Sequence, residues 1–117
     1  MEKWKKSEIE ILKESKVESK IHENILNRKY KGLITFVSTP PRDSKPDQWI
    51  SECRNKIDKY PENKNEILRL SGIGQTFRAI LHHDDKLNHI WLVYTKESKI
   101  NIQIIDYFLK NVVVNLH

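Results

Sequence analysis

A chain of 117 residues, 38% of them hydrophobic, has room for one modest core, so a single small domain or part of a larger one is expected. Its 21 basic and 16 acidic residues leave a net charge of +5, which permits an anionic partner (nucleic acid, nucleotide or phosphate), although the two signs are interleaved as on an ordinary solvated surface. One cysteine, Cys53, excludes an internal disulfide framework and a multi-cysteine zinc site, and no apolar stretch approaches the ~18 residues of a membrane span.

The charged start, Met1 to Lys6, is followed by no apolar segment and does not read as a signal peptide, so a cytoplasmic location is expected. Residues 1–31 are highly charged and free of Gly and Pro. Ser7 and Glu10 fit a capping box, with Ile9, Leu12, Val17, Ile21 and Ile25 as a thin apolar stripe behind them. These features predict an N-terminal helical arm, in one helix or in two broken near Ser15-Lys16. Trp4 with the Ser7–Leu12 segment is similar to the first helix of Myb-like modules, but no further tryptophans or recognition helix follow. A packing or dimerisation arm is the plainer reading.

Gly32 marks entry to Leu33-Ile34-Thr35-Phe36-Val37, a continuous apolar run that predicts a strand buried on both faces. Pro40, Pro41 and Pro46 then hold the chain irregular until a helix begins near Asp47. Ile50, Cys53, Ile57 and Tyr60 recur at helical spacing, which places Cys53 among buried apolar groups, and Pro61 ends the helix. Ile67 to Leu70 is a short apolar piece without a clear assignment. A second helix opens at Ser71-Gly72-Ile73-Gly74, carries Ile73, Phe77, Ile80 and Leu81 on one face, and closes at His82-His83-Asp84-Asp85.

Ile90-Trp91-Leu92-Val93-Tyr94 repeats the buried-strand pattern. Beyond it Ile100, Ile102 and Ile104 alternate as in a strand, while Ile104, Ile105, Phe108, Leu109 and Val112 keep helical spacing over a longer window that favours a helix from about 98 to 110. Val112-Val113-Val114 predicts a third, very short strand. Helices alternating with buried strands give an α/β class: a small Rossmann-like, mostly parallel sheet of three or more strands with flanking helices. The division expected is an arm over 1–31 and an α/β domain over 32–117, which three strands make either a partial domain or a dimerising one.

Ligands of parallel sheets bind beyond the carboxyl ends of the strands. Two hydroxyl-bearing loops follow such ends here. In the first, Ser38, Thr39 and Arg42 suit a phosphate, with Arg42 able to form a bidentate pair; stiffening prolines and Ser44 as a helix cap explain the same loop structurally. In the second, Thr95, Lys96 and Ser98 would close the site. Gln75 and Thr76, at a glycine-flanked helix start, would contact base or ribose, although simple turn chemistry accounts for the glycines as well.

No GxGxxG or GxxxxGK[ST] pattern occurs, so neither a dinucleotide fingerprint nor a P-loop is present. Adjacent His82 and His83 diverge on a helix and do not make the i, i+4 zinc pair. Pro46-Asp47 with Glu97-Ser98-Lys99 superficially fits the PD…ExK nuclease arrangement, though Asp47 falls on a helix start rather than a strand. No hydroxyl sits in a nucleophile-elbow sequence. The expectation leans away from an enzyme, and no cofactor is called for.

The segments Leu33–Thr39, Thr76–His83 and Ile90–Ser98 resemble the CRISPR-associated Rossmann-fold sensor domains, the CARF/SAVED group, over residues 32–114. In that family ligand loops follow the first strand and a later strand that ends in a Thr/Ser-rich turn. The resemblance implies a sensor in antiviral defence that binds a cyclic oligonucleotide, usually a cyclic oligoadenylate. It also implies a homodimer or fused array, with effector activity on another domain. Pro40-Pro41 stands where that family often has a glycine. The alternative expectation is an interaction or assembly subunit of a larger complex that binds no small molecule.

Overall fold

The apolar run His89–Tyr94 has no polar side to give to water, and the chain places it where none is needed. In the computed structural model, which describes residues 8–13, 32–83 and 89–113, this segment is the central strand of a three-stranded sheet, buried from His89 through Val93. We label the strands β1 (Glu8–Lys13), β2 (Gly32–Phe36) and β3 (His89–Tyr94); their order is β1-β3-β2, and both pairings are parallel. Leu33 lies beside Ile90 and Thr35 beside Leu92, so β2 and β3 end on the same edge of the sheet.

Four helices complete the described fold: α1 (Pro46–Asp58), α2 (Lys64–Ile67), α3 (Ile73–His83) and α4 (Lys99–Phe108), the last continuing into a π-helical turn over Leu109–Val113. Pro46 begins α1, where its fixed φ fits and its missing N–H costs nothing. The buried stripe of α1 is Trp49, Cys53 and Ile57, that of α3 includes Ile73, Phe77 and Ile80, and that of α4 includes Ile104, Ile105 and Phe108. All of them join one core with Ile90, Leu92 and Val37 on a single face of the sheet. The result is a small Rossmann-like α/β fold.

Gly72 sits at φ +74°, in the left-handed region, and a Cβ there would lie 2.6 Å from Ser38 Cβ. The turn into α3 can therefore press against the end of β2 only with glycine at this position. At Gly32 the constraint is space: a Cβ would fall 2.0 Å from Trp91 Cζ3, because the buried indole of the central strand lies across the neighbouring strand.

Three expectations need correction. Residues 8–13 form an outer strand of the sheet rather than the start of a helical arm. Glu8-Ile9-Glu10-Ile11 alternates with period two, and pairing beside β3 uses the ladder groups that a central strand must satisfy on both sides. The remainder of the expected arm, residues 1–7 and 14–31, lies outside the described residues. Val112 and Val113 belong to the π-helical turn and pack into the core, not into a third strand; β-branched side chains suit any tightly packed apolar site, and Val114 lies outside the described residues. Last, β2 is an outer strand with one open face: Ile34 is 40% and Phe36 64% exposed. A short apolar run does not by itself tell a strand covered on both faces from an edge strand with apolar groups on its open side. The ambiguous segment after Ser98 is helical, as its longer periodicity favours. No helix among the described residues is long and apolar enough to cross a membrane.

Candidate functional site

Because β2 and β3 are parallel neighbours, the loops that follow them emerge side by side. Thr39, Pro40, Pro41, Arg42 and Ser44 from the first loop and Glu97 from the second, with Pro46 at the start of α1 and Ile100 in the first turn of α4, line one cavity of about 440 Å³. A volume of this size falls in the lower part of the ~300–1,000 Å³ range of small-molecule sites.

The first loop is held from below. Val37 N–H donates to Val93 O at 2.7 Å, carrying the ladder one residue past β2. Asn101, fully buried in the first turn of α4, donates from Nδ2 to Ser38 O at 2.6 Å and accepts from Trp49 Nε1 at 2.7 Å. One amide thus ties α1, α4 and the start of the loop together. Further along, the Ser44 hydroxyl and N–H both donate to Pro41 O, at 2.6 and 3.0 Å, closing a turn whose φ angles the prolines have already fixed.

The second loop is a tight Thr95–Ser98 turn. Thr95 N–H donates to Ser98 Oγ at 2.8 Å, Ser98 N–H donates to Thr95 Oγ1 at 3.3 Å, and the two hydroxyl oxygens lie 3.2 Å apart. This turn ends at α4, whose first turn borders the cavity at Ile100, just as that of α1 does at Pro46. Neither helix has a side-chain cap at its N-terminus among the described residues; α4 has no acidic residue in its first turn, so its leading amides keep their partial positive charge, whereas α1 opens on Pro46, which has no N–H, and carries Asp47 in its first turn. Arg42 adds a full positive charge and Glu97 a full negative one.

Of the residues singled out from the sequence, Thr39 and Arg42 line this cavity. Ser38 is not part of the lining, and its carbonyl accepts from Asn101. Thr95 is half-buried within its turn and Lys96 is exposed at the tip. Ser98 is fully buried, with its hydroxyl engaged within the turn. Gln75 is exposed on α3, away from this lining. Thr76 is 3% exposed, with its hydroxyl 3.1 Å from that of Thr35, so it seats α3 on β2. One residue escapes the sequence reading and another enters it in a different role. Glu97 figures in the sequence only as part of the superficial nuclease pattern, and Asn101 lies inside an apolar run where a lone amide is its own signal of a buried hydrogen-bonded hub.

Asp47 and Glu97, the carboxylates of the superficial nuclease pattern, line different cavities. Asp47 faces a groove on the outer side of α1 and α4 with Arg54, Asp58 and Tyr107. There the Tyr107 phenol donates to Asp58, whose hydrogen bond holds the phenol above its ordinary pKa, and Arg54 lies 5.3 Å from the Tyr107 ring centre. His82 and His83 meet edge to face at 4.5 Å, and Asp84 and Asp85 lie outside the described residues. No group of three metal-ligating side chains occurs among the described residues.

Cys53 is fully buried, and that burial pushes its thiol up to about 12. A thiol is nucleophilic as the thiolate, so Cys53 is expected to resist iodoacetamide at pH 8 in the folded chain and to react fully in 6–8 M urea, a range in which ordinary small domains unfold (roughly, by the usual urea slopes). Mass spectrometry of the alkylated protein reads the difference, and stoichiometric labelling without urea would contradict the packing of α1 on the sheet. Comparison of the chain with protein-family models, curated proteins and solved structures gave no match.

Proposed function

We propose that this chain is a non-enzymatic binding module that takes a phosphate-bearing nucleotide ligand in the strand-end cavity, with a cyclic oligoadenylate as the ligand that the sequence resemblance favours. The observation that carries the reading is the convergence of Arg42 and the uncapped first turn of α4 on one cavity. Helix N-termini favour anions through their free amides and dipole, and an arginine adds bidentate geometry. A cavity of about 440 Å³ holds roughly one or two nucleotide units, so a cyclic ligand would be shared between two copies of the chain.

Calorimetric titration of the purified chain with cyclic tri-, tetra- and hexa-adenylate tests this reading. Binding at micromolar level or tighter is expected for at least one of them. Arg42→Ala should weaken it by roughly ten- to a hundredfold, the worth of a hydrogen bond to a charged group, while leaving the thermal unfolding midpoint unchanged because Arg42 is exposed. Silence with all three, from a folded sample, would transfer support to the reading as an assembly subunit. That reading draws on Ile34 and Phe36, which present apolar surface on the open side of an outer strand.

A further inference from the structure

Among the described residues that line the strand-end cavity, Glu97 is the one acid and Arg42 the one base. A site for a bare phosphate would gain nothing from a carboxylate on its wall. An ionised carboxylate only accepts hydrogen bonds, so a ligand that satisfies both groups must carry a donor close to its anionic part. The distance between donor and anion is short, because a cavity of about 440 Å³ is on the order of 8 Å across.

The turn that carries Glu97 is itself fixed. Glu97 sits near the tip of the turn that Thr95 and Ser98 close with reciprocal hydrogen bonds of 2.8 and 3.3 Å, and Ser98 is completely buried beneath it. Both neighbouring hydroxyls are engaged within the turn, which leaves the carboxylate as the polar group this loop offers to the cavity. In a nucleotide the donor nearest the phosphate is a ribose hydroxyl, whereas the exocyclic amine of the base lies at the far end of the molecule.

We infer that Glu97 accepts a hydrogen bond from the ribose 2′-hydroxyl of the bound ligand, so that the cavity selects ribonucleotides over their 2′-deoxy counterparts. This rests on the nucleotide reading of the same cavity. Because Glu97 is exposed, the discrimination is roughly ten- to a hundredfold, the scale of a charge-assisted hydrogen bond, and not the 10⁴-fold or more of a fully enclosed hydroxyl site.

The test is calorimetry on the full chain, with EDTA present to remove divalent cations, using cyclic tetra-adenylate and its fully 2′-deoxy analogue. The unmodified chain should prefer the ribose form at least tenfold. Glu97→Gln, which keeps an acceptor oxygen but loses the charge, should narrow the preference, and Glu97→Ala should abolish it. Arg42→Ala should weaken both ligands and leave their ratio intact. Equal affinity for both ligands in the unmodified chain overturns the inference while the nucleotide reading stands. So does a preference that survives Glu97→Ala, which would trace it to sugar pucker. Absence of binding to either ligand overturns both together when cyclic tri- and hexa-adenylate are silent too; where one of those binds instead, the same comparison is made with it and its 2′-deoxy analogue.

Discussion

Replacing Phe108 with alanine should remove about 4 kcal/mol of stability, the middle of the ~3–5 kcal/mol range for buried phenylalanine truncations. Phe108 is fully buried at the end of α4. Its ring stacks on Phe77 of α3 with centroids 4.1 Å apart and planes 18° from parallel, and it meets Tyr60, just beyond α1, edge to face at 6.2 Å. One side chain therefore joins three helical segments that pack on the same face of the sheet. Truncation leaves a cavity bounded by rigid rings, which collapse poorly, so the cost belongs in the upper half of what large-to-small changes produce. A domain of this length has a total stability of roughly 6–17 kcal/mol, and the variant would lose a quarter or more of it. In urea the midpoint should fall by about 2 M with an unchanged slope, whereas Phe108→Leu, which keeps most of the volume, should lose less than half as much. A midpoint within ~0.5 M of the parent's would show that the aromatic cluster is not the centre of the core.

Much of this architecture is legible from residue order. The two long apolar runs identify β2 and β3, the prolines at 40, 41 and 46 set the start of α1, and helical spacing from Ile104 to Val112 outweighs the alternation of Ile100, Ile102 and Ile104. The outer strand β1 is hidden because Ile9 and Leu12 satisfy a helical stripe while Ile9 and Ile11 satisfy an alternating one. Such a short segment is settled by its partner strand and not by its own pattern. Val112 and Val113 mislead for a related reason: β propensity measures fit to a packed surface, and the core beside α4 provides one.

The site was legible at the level of loops and not of side chains. Parallel neighbours must end together, so loops after Val37 and Tyr94 were bound to meet once the two strands paired. Which atoms face the cavity depends on local competition. Serine and threonine hydroxyls bond readily to nearby backbone, so Ser98 and Thr95 turn inward to each other, and Thr76 finds Thr35 across the helix–sheet interface. Arg42, Glu97 and the proline rings, which have no such local alternative, line the cavity together with Thr39, Ser44 and Ile100.

Asn101→Leu should cost about 3 kcal/mol and, unlike the loss of Phe108, should reach the site directly. Leucine fills the space, so the cost arises from polar groups stranded in the interior: Trp49 Nε1–H loses its acceptor and Ser38 C=O its donor. An unsatisfied buried group costs ~1–3 kcal/mol, and two are created. Removing one of the stranded groups beforehand separates the contributions. In a Trp49→Phe background, which has no indole N–H to strand, the same substitution should cost about 1–2 kcal/mol less, and the shortfall is the coupling between the two residues. The carbonyl of Ser38 lies at the root of the loop that carries Thr39 and Arg42, so losing its tether should also raise amide hydrogen exchange at Arg42, Asp43 and Ser44 beyond what global destabilisation produces. Ligand affinity should fall with it, since Arg42 would no longer be presented from a fixed loop. Loss of stability without faster exchange in that loop would mean that Pro40, Pro41 and the Ser44–Pro41 turn suffice to hold it, and that Asn101 serves the core alone.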